Sequence, residues 1–178
     1  MELFETEYQK ACAQESDINE HIPILREYAE RCDHVTEFGV REGTSTRAFM
    51  AATPKRLVSY DLALNPNVED LFYAARKAGY DWHYHQANVL DIEIEETDFL
   101  FIDTLHNYGQ MRMELALHAS KVRQFIGFHD TVSFGEVGEG APVGIRPAID
   151  EFMLSSRRWQ VVYDSLVNNG LMIIARIR

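Results

Sequence analysis

The sequence predicts an α/β domain built on a doubly wound, mostly parallel seven-stranded sheet with an antiparallel C-terminal hairpin. Three observations carry that prediction. Short apolar runs alternate with stretches of helical periodicity, the pattern of parallel strands joined by crossover helices. The first five runs each bring a polar residue to their end: Glu37, Asp61, Asn88, Asp103 and Asp130. The last two runs are separated only by V-N-N-G, a turn that reverses the chain.

Taken in order, residues from about 2 to 32 read as two helices. Leu3, Phe4, Tyr8, Ala11 and Cys12 recur at helical spacing, and after S-D-I-N the residues Ile22, Leu25, Tyr28, Ala29 and Cys32 repeat it, with Pro23 tolerated in a first turn. A first strand (35–39) leads into a helix at 45–52 that T-P-K stops, and a second strand (57–61) ends on Asp61. N-P-N starts a helix with Leu71, Phe72, Ala75 and Ala78 on one stripe and Gly79 as its cap. W-H-Y-H-Q-A-N (82–88) alternates as a third strand. D-F-L-F-I-D (98–103) has the continuous apolar centre of a strand buried on both faces. A helix over 107–121, a fifth strand (125–130), a helix over 145–156 and the strands 159–164 and 170–177 complete the chain. The expected order is a strand–helix pair five times over, then the hairpin. The segment 131–144 is the one long loop and holds four of the ten glycines, which marks it as a lid over a site or as a mobile connection.

Residues 1–178 read as a single domain, with 1–33 as an N-terminal helical cap. A net charge of −11 argues against general nucleic-acid binding, which needs a basic face for phosphates. No apolar run is long enough for a membrane span, and the acidic N-terminus lacks the basic and apolar regions of a signal peptide. Cys12 and Cys32 are expected as free thiols, and the protein as cytoplasmic.

The chemistry centres on V-T-E-F-G-V-R-E-G-T-S-T-R (35–47), a strand, a glycine turn and a helix start whose T-S-T can cap the helix. Free N–H groups at such a turn form a ligand cradle. A dinucleotide needs G-x-G-x-x-G for its pyrophosphate, but here Glu37 lies at the base of the loop and Glu42 within it. Carboxylates repel a pyrophosphate and favour S-adenosylmethionine (SAM), which carries an ammonium and a sulfonium and no phosphate. Asp61, about twenty residues beyond the glycines, suits the ribose hydroxyls of either cofactor.

E-F-G-V-R-E-G-T-S, the strand-ending Asp61 and the strand order with its closing hairpin resemble the class I SAM-dependent methyltransferases, whose fold is Rossmann-like. F-I-D-T-L-H-N-Y followed by F-H-D-T resembles their small-molecule branch of catechol-type and cephalosporin-hydroxylase-like enzymes. The resemblance implies a SAM-dependent methyltransferase that acts on a small-molecule acceptor at a hydroxyl oxygen. It further implies that Glu37, Gly39 and Gly43 shape the pocket for the methionine end, with Thr44 and Ser45 as donors. Asp61 would hold the ribose, Leu62 would lie against the adenine, Asn88 would meet its edge and Val89 would lie beneath it. Asn88 stands where the family often has an acid. Asp103 would sit beneath the sulfonium.

Catechol-type relatives hold a divalent metal at the ends of the fourth and fifth strands, positions that Asp103 and Asp130 match, with Thr131 where those enzymes often carry Asn. Two carboxylates with room for water suit Mg²⁺. Without metal, His106 or His129 is the candidate general base. His106 is the better placed, because alternation along a strand turns His129 away from Asp130. A NAD-dependent oxidoreductase and a non-catalytic protein of the same fold are the competing readings, and a homodimer is the expected assembly. His83 and His85 read as surface or packing residues, and Asn168 and Asn169 as turn residues.

Overall fold

In the computed structural model, which describes residues 2–177, the seven strands form one sheet. They are β1 (His34–Phe38), β2 (Arg56–Asp61), β3 (Asp81–Gln86), β4 (Thr97–Ile102), β5 (Val122–His129), β6 (Trp159–Ser165) and β7 (Leu171–Arg176). Their spatial order is β3-β2-β1-β4-β5-β7-β6. The first five strands are mutually parallel, and β7 inserts antiparallel between β5 and β6. V-N-N-G forces that reversal: Asn168 and Gly170 both take positive φ (48° and 93°), the left-handed region that asparagine and glycine tolerate best.

The helices are α1 (Glu2–Ala13), α2 (Ile22–Ala29), α3 (Thr44–Ala52), α4 (Pro66–Lys77), α5 (Tyr108–His118) and α6 (Arg146–Ser156). Strand β4 shows how two layers are filled from one sequence. Phe99 and Phe101 pack into a core with α1, α2, α3 and α4, whereas Leu100 and Ile102 pack into another with α5 and α6. All four are at most 1% exposed, so each stabilises the fold by about 1.5–3 kcal/mol of burial. The N-terminal helices form part of the first layer. Phe4, Tyr8 and Ala11 of α1 and Ile22, Leu25, Tyr28 and Ala29 of α2 are buried, while Leu3, expected on the same stripe, is 47% exposed. Cys12 and Cys32 are free thiols. No helix among the described residues is long and apolar enough to cross a membrane.

Two expectations are corrected here. Only a 3₁₀ turn, Val89–Asp91, stands between β3 and β4, so that crossover has no α-helix. Asn88 caps this turn by accepting from the Leu90 N–H at 3.1 Å, and the chain beyond it runs extended, which places Ile94 in the second core. Helix α5 stops at His118, and Ala119–Lys121 forms a further 3₁₀ turn. The long loop is tied down. Its Glu139 N–H donates to the His106 carbonyl at 2.8 Å, its Val143 carbonyl accepts from Tyr108, and its start and end bond each other through Ile145 and Phe134. Gly135 and Gly144 make that closure possible, since a Cβ on either would lie 2.2 Å from a backbone oxygen.

Candidate active site

All five strand-ending polar residues lie along one rim of the sheet, as a parallel arrangement requires, but they do not form one cluster. At β1 the chain turns at Gly39 (φ 82°), where a Cβ would sit 2.0 Å from the Asp103 carbonyl oxygen. This glycine lets the ends of β1 and β4 touch. Asp61 organises the turn that follows: its Oδ2 accepts from the Val40 and Arg41 N–H groups at 2.7 and 2.8 Å, and its Oδ1 from Ala63 at 3.1 Å. Arg41 is held at φ 49° between those contacts and an ion pair to Asp17 at 2.9 Å.

The T-S-T hydroxyls do not cap α3. Its N-cap is Gly43, in the left-handed region at φ 72°, with no side-chain capping bond. The hydroxyls of Ser45 and Thr46 instead donate to Glu37, at 2.6 and 2.9 Å, and Ser59 on the neighbouring strand donates to the same carboxylate at 2.6 Å. Thr44 opens the helix beside them. Glu37 is fully buried, and burial outweighs these three bonds to raise its pKa to about 7. The carboxylate therefore braces β1, β2 and α3 from behind the glycine turn and does not line its open side. Ser59 was legible as a polar residue inside an apolar strand, and in register with Glu37.

Further along the rim, Leu62 is 70% exposed after β2. Asn88 is engaged within its own turn, accepting from Leu90 and donating to Asp91 at 2.9 Å. Val89 is buried, and its carbonyl faces His118 Nε2 at 2.8 Å. These residues lie on the β2–β3 side of β1.

On the other side, Asp103, His106, His129 and Asp130 converge. His106 Nε2 is 3.0 Å from Asp103 Oδ1 and 3.1 Å from Asp130 Oδ2, and His129 Nδ1 is 3.1 and 3.3 Å from the same two oxygens. Carboxylate and imidazole alternate around this ring. The position of His129 corrects the sequence reading. Asp130 adopts φ 59°, so the chain leaves the strand geometry there and both side chains reach one site. Burial alone would lower His129 and raise Asp103. The opposite charges overcome it, holding His129 up at about 10 and Asp103 far below the usual carboxylate range. His106 is shifted upward by the same carboxylates against its burial.

The surroundings are protein, not open solvent. His129 Nε2 faces the Asp17 carbonyl at 3.2 Å, and His106 Nδ1 faces Glu139 Oε2 at 3.3 Å. Phe134 stacks on His106 with centroids 5.2 Å apart. The cap adds His21, fully buried with neither ring nitrogen bonded, edge-on to His129 at 5.8 Å. Asp130 Oδ1 is also buried without a partner. The Thr131 hydroxyl lies instead against Gly170, at 2.8 Å from where a Cβ would stand. Nothing in the sequence pointed to Asp17, His21 or Glu139, because each reaches the site from a distant loop. Two cavities, of about 520 and 490 Å³, lie away from the rim, beside α1 and α2 and beneath Trp159.

By sequence, no family model and no curated protein matches this chain. By structure, it is similar to an O-methyltransferase from Bacillus cereus solved with S-adenosylhomocysteine (TM-score 0.65, 18% identity, covering 100% of this chain and 91% of that one). It is also similar to the N-methyltransferase NodS from Bradyrhizobium japonicum (0.67, 14%, 91% and 97%). A third likeness is to the Burkholderia thailandensis 1,6-didemethyltoxoflavin-N1-methyltransferase, solved with its substrate and S-adenosylhomocysteine (0.64, 14%, 98% and 86%). The chain has the Rossmann-like methyltransferase fold. The likenesses run across nearly the whole chain on both sides, including the antiparallel β7.

Proposed function

We propose that this protein is a SAM-dependent methyltransferase of the small-molecule class, transferring the methyl group to a hydroxyl oxygen of its acceptor. The observation that carries the reading is the Asp61 carboxylate gripping the glycine turn at two amides, beside the exposed Leu62, in a sheet of methyltransferase order. A carboxylate at this strand end serves a ribose diol. Gly39 and Gly43 keep the turn tight, with Glu37 behind it as the brace that aligns Ser45 and the start of α3. The antiparallel β7 speaks against a NAD-dependent oxidoreductase, as does the missing third glycine.

Methyl transfer is an in-line displacement, so the chain's task is to align the acceptor and manage its proton. Asp103 stands where β4 meets the glycine turn, between the cofactor side and the acceptor side of the rim. His106 is the group placed to exchange a proton with an acceptor hydroxyl, its position held by Asp103, Asp130 and Phe134. The rim also fits a divalent cation. Two carboxylate oxygens converge, and Asp130 keeps a buried oxygen without a partner. Asp103 and Asp130 would hold Mg²⁺ or a similar ion, which when bound supplies the charge that lowers an acceptor hydroxyl's pKa.

Isothermal titration with S-adenosylhomocysteine tests the cofactor half. Binding in the micromolar range is expected, weakened at least about 100-fold in Asp61→Ala, where two loop amides and the ribose lose their acceptor. No binding by the wild-type protein up to millimolar ligand would overturn the proposal.

A further inference from the structure

Helix α5 buries one stripe of residues, Met111, Glu114, Leu115 and His118. Met111 and Leu115 pack into the second core, and His118 faces the Val89 carbonyl at 2.8 Å. Glu114 has no exposed surface, and leucine or methionine would fill its position without the cost of burying a carboxyl. Its bonds give the reason for the acid. Glu114 Oε1 accepts from the Thr104 hydroxyl at 2.6 Å and from the Gln110 side-chain amide at 2.8 Å. Thr104 follows Asp103 directly and Gln110 lies in the first turn of α5, so the chain between them carries His106. We propose that Glu114 is a positioning residue for His106, tying together the two ends of this turn and so fixing where the imidazole stands. The inference rests on the reading of His106 as the group that exchanges a proton with the acceptor.

The other contacts of the turn act elsewhere. On its outer side the His106 carbonyl accepts from the Glu139 N–H at 2.8 Å and Phe134 stacks on the ring, both residues belonging to the long loop. Within the turn, the Asn107 N–H donates to the Leu105 carbonyl at 3.0 Å, and the Asn107 side chain caps α5 by accepting from the Gln110 N–H at 3.0 Å. These bonds set the turn's own shape and its seat against the loop. Glu114 joins it to the buried face of α5. Proton transfer depends on that seat, because a displacement of about 1 Å at a reacting group can cost about 100-fold in rate.

The geometry of the carboxyl is that of an acid holding its proton. Both donors meet at Oε1, while Oε2 is buried without a partner, which is where the acid's own hydrogen belongs. Burial raises Glu114 to about 7 against those two bonds. Toward Thr104 and Gln110 it presents one accepting oxygen, as a glutamine side chain would. Glutamine should therefore replace it in this role, and an apolar side chain of similar size should not.

NMR of the full-length protein labelled with ¹³C-histidine reads the position directly. His106 is one of seven histidines, and its imidazole Cε1–H signal is identified by its loss in His106→Gln. Spectra at pH 6 are compared for wild type, Glu114→Met, Thr104→Val and Glu114→Gln. In Glu114→Met and Thr104→Val the His106 signal should leave its wild-type position, as the ring shifts against Phe134. Hydrogen exchange of the Asn107 and Tyr108 amides should rise at least about 10-fold in both, with exchange in β4 unchanged. Glu114→Gln should keep the wild-type signal and the wild-type exchange. A role in stability alone would leave the His106 signal in place in every folded variant, and Thr104→Val carries the test if Glu114→Met does not fold. A wild-type His106 signal in both loss variants, or a Glu114→Gln spectrum that matches Glu114→Met, would overturn the inference. S-adenosylhomocysteine binding is measured on the same samples. If the wild-type protein does not bind it, the methyltransferase reading falls, while a displaced His106 signal still assigns Glu114 the hold on this turn. Binding with an unmoved His106 signal removes the positioning role alone.

Discussion

Replacing Glu37 by Gln should remove one identifiable contribution to the pH dependence of stability. Glu37 has no exposed surface, and burial raises its pKa from 4.5 to about 7 despite three hydroxyl donors. The folded state thus favours the protonated acid. Below pH 4.5 the group costs nothing, because it is protonated in both folded and unfolded chains. As pH rises from 4.5 the unfolded chain ionises first, and the penalty grows until the folded carboxyl also ionises near 7. Integrated between pH 5 and 8, the wild-type protein loses about 2.5 kcal/mol through this residue. Glutamine does not ionise, so Glu37→Gln loses that slope. At pH 5 the variant should be about 1 kcal/mol less stable than wild type, since an amide NH₂ replaces an oxygen that accepts from Ser59 and Thr46. By pH 8 it should be the more stable of the two. Urea unfolding at pH 5, 6, 7 and 8, followed by far-UV circular dichroism, reads the difference directly. Glu114 does not confuse the comparison. Burial also raises it to about 7, but it is present in both proteins and adds the same slope to each. Parallel stability profiles for wild type and variant across this range would refute the reasoning and assign Glu37 an ionised, fully compensated role.

Gly39→Ala should abolish cofactor binding and cost more than about 3 kcal/mol. The new Cβ meets the Asp103 carbonyl at 2.0 Å in a left-handed turn, and thermal unfolding with S-adenosylhomocysteine titration checks both effects. Arg157→Gly should stabilise the protein by about 0.5–1 kcal/mol, because Arg157 ends α6 at φ 49°, where glycine has no Cβ penalty. A melting temperature raised by about 1–4 °C is the expected reading.

The architecture was legible because burial imposes periods on the chain. D-F-L-F-I-D has no polar face, so it belongs to a strand covered on both sides, and β4 is such a strand. V-N-N-G contains the residues that accept positive φ, so the hairpin and with it the antiparallel β7 could be read directly. The acids and amide at the strand ends follow from the same logic, since parallel strands deliver their C-terminal residues to one rim. Where periodicity was weak the reading failed. The short segment between β3 and β4 carries one capping Asn and an extended Ile94 in place of a helix.

Sequence alone therefore determined the parallel sheet with its closing hairpin, the glycine turn and the position of Asp61, Asp103 and Asp130 at strand ends, all consequences of local pattern and strand direction. Tertiary structure decided the chemistry of the site. The Ser45 and Thr46 hydroxyls turn to Glu37 because a buried carboxylate needs donors more than a helix needs a cap already supplied by Gly43. His129 joins Asp130 because one left-handed residue breaks the strand's alternation, a backbone state that no side-chain pattern encodes. Asp17, His21 and Glu139 lie far away in sequence and meet the rim only when the cap and the long loop close over it.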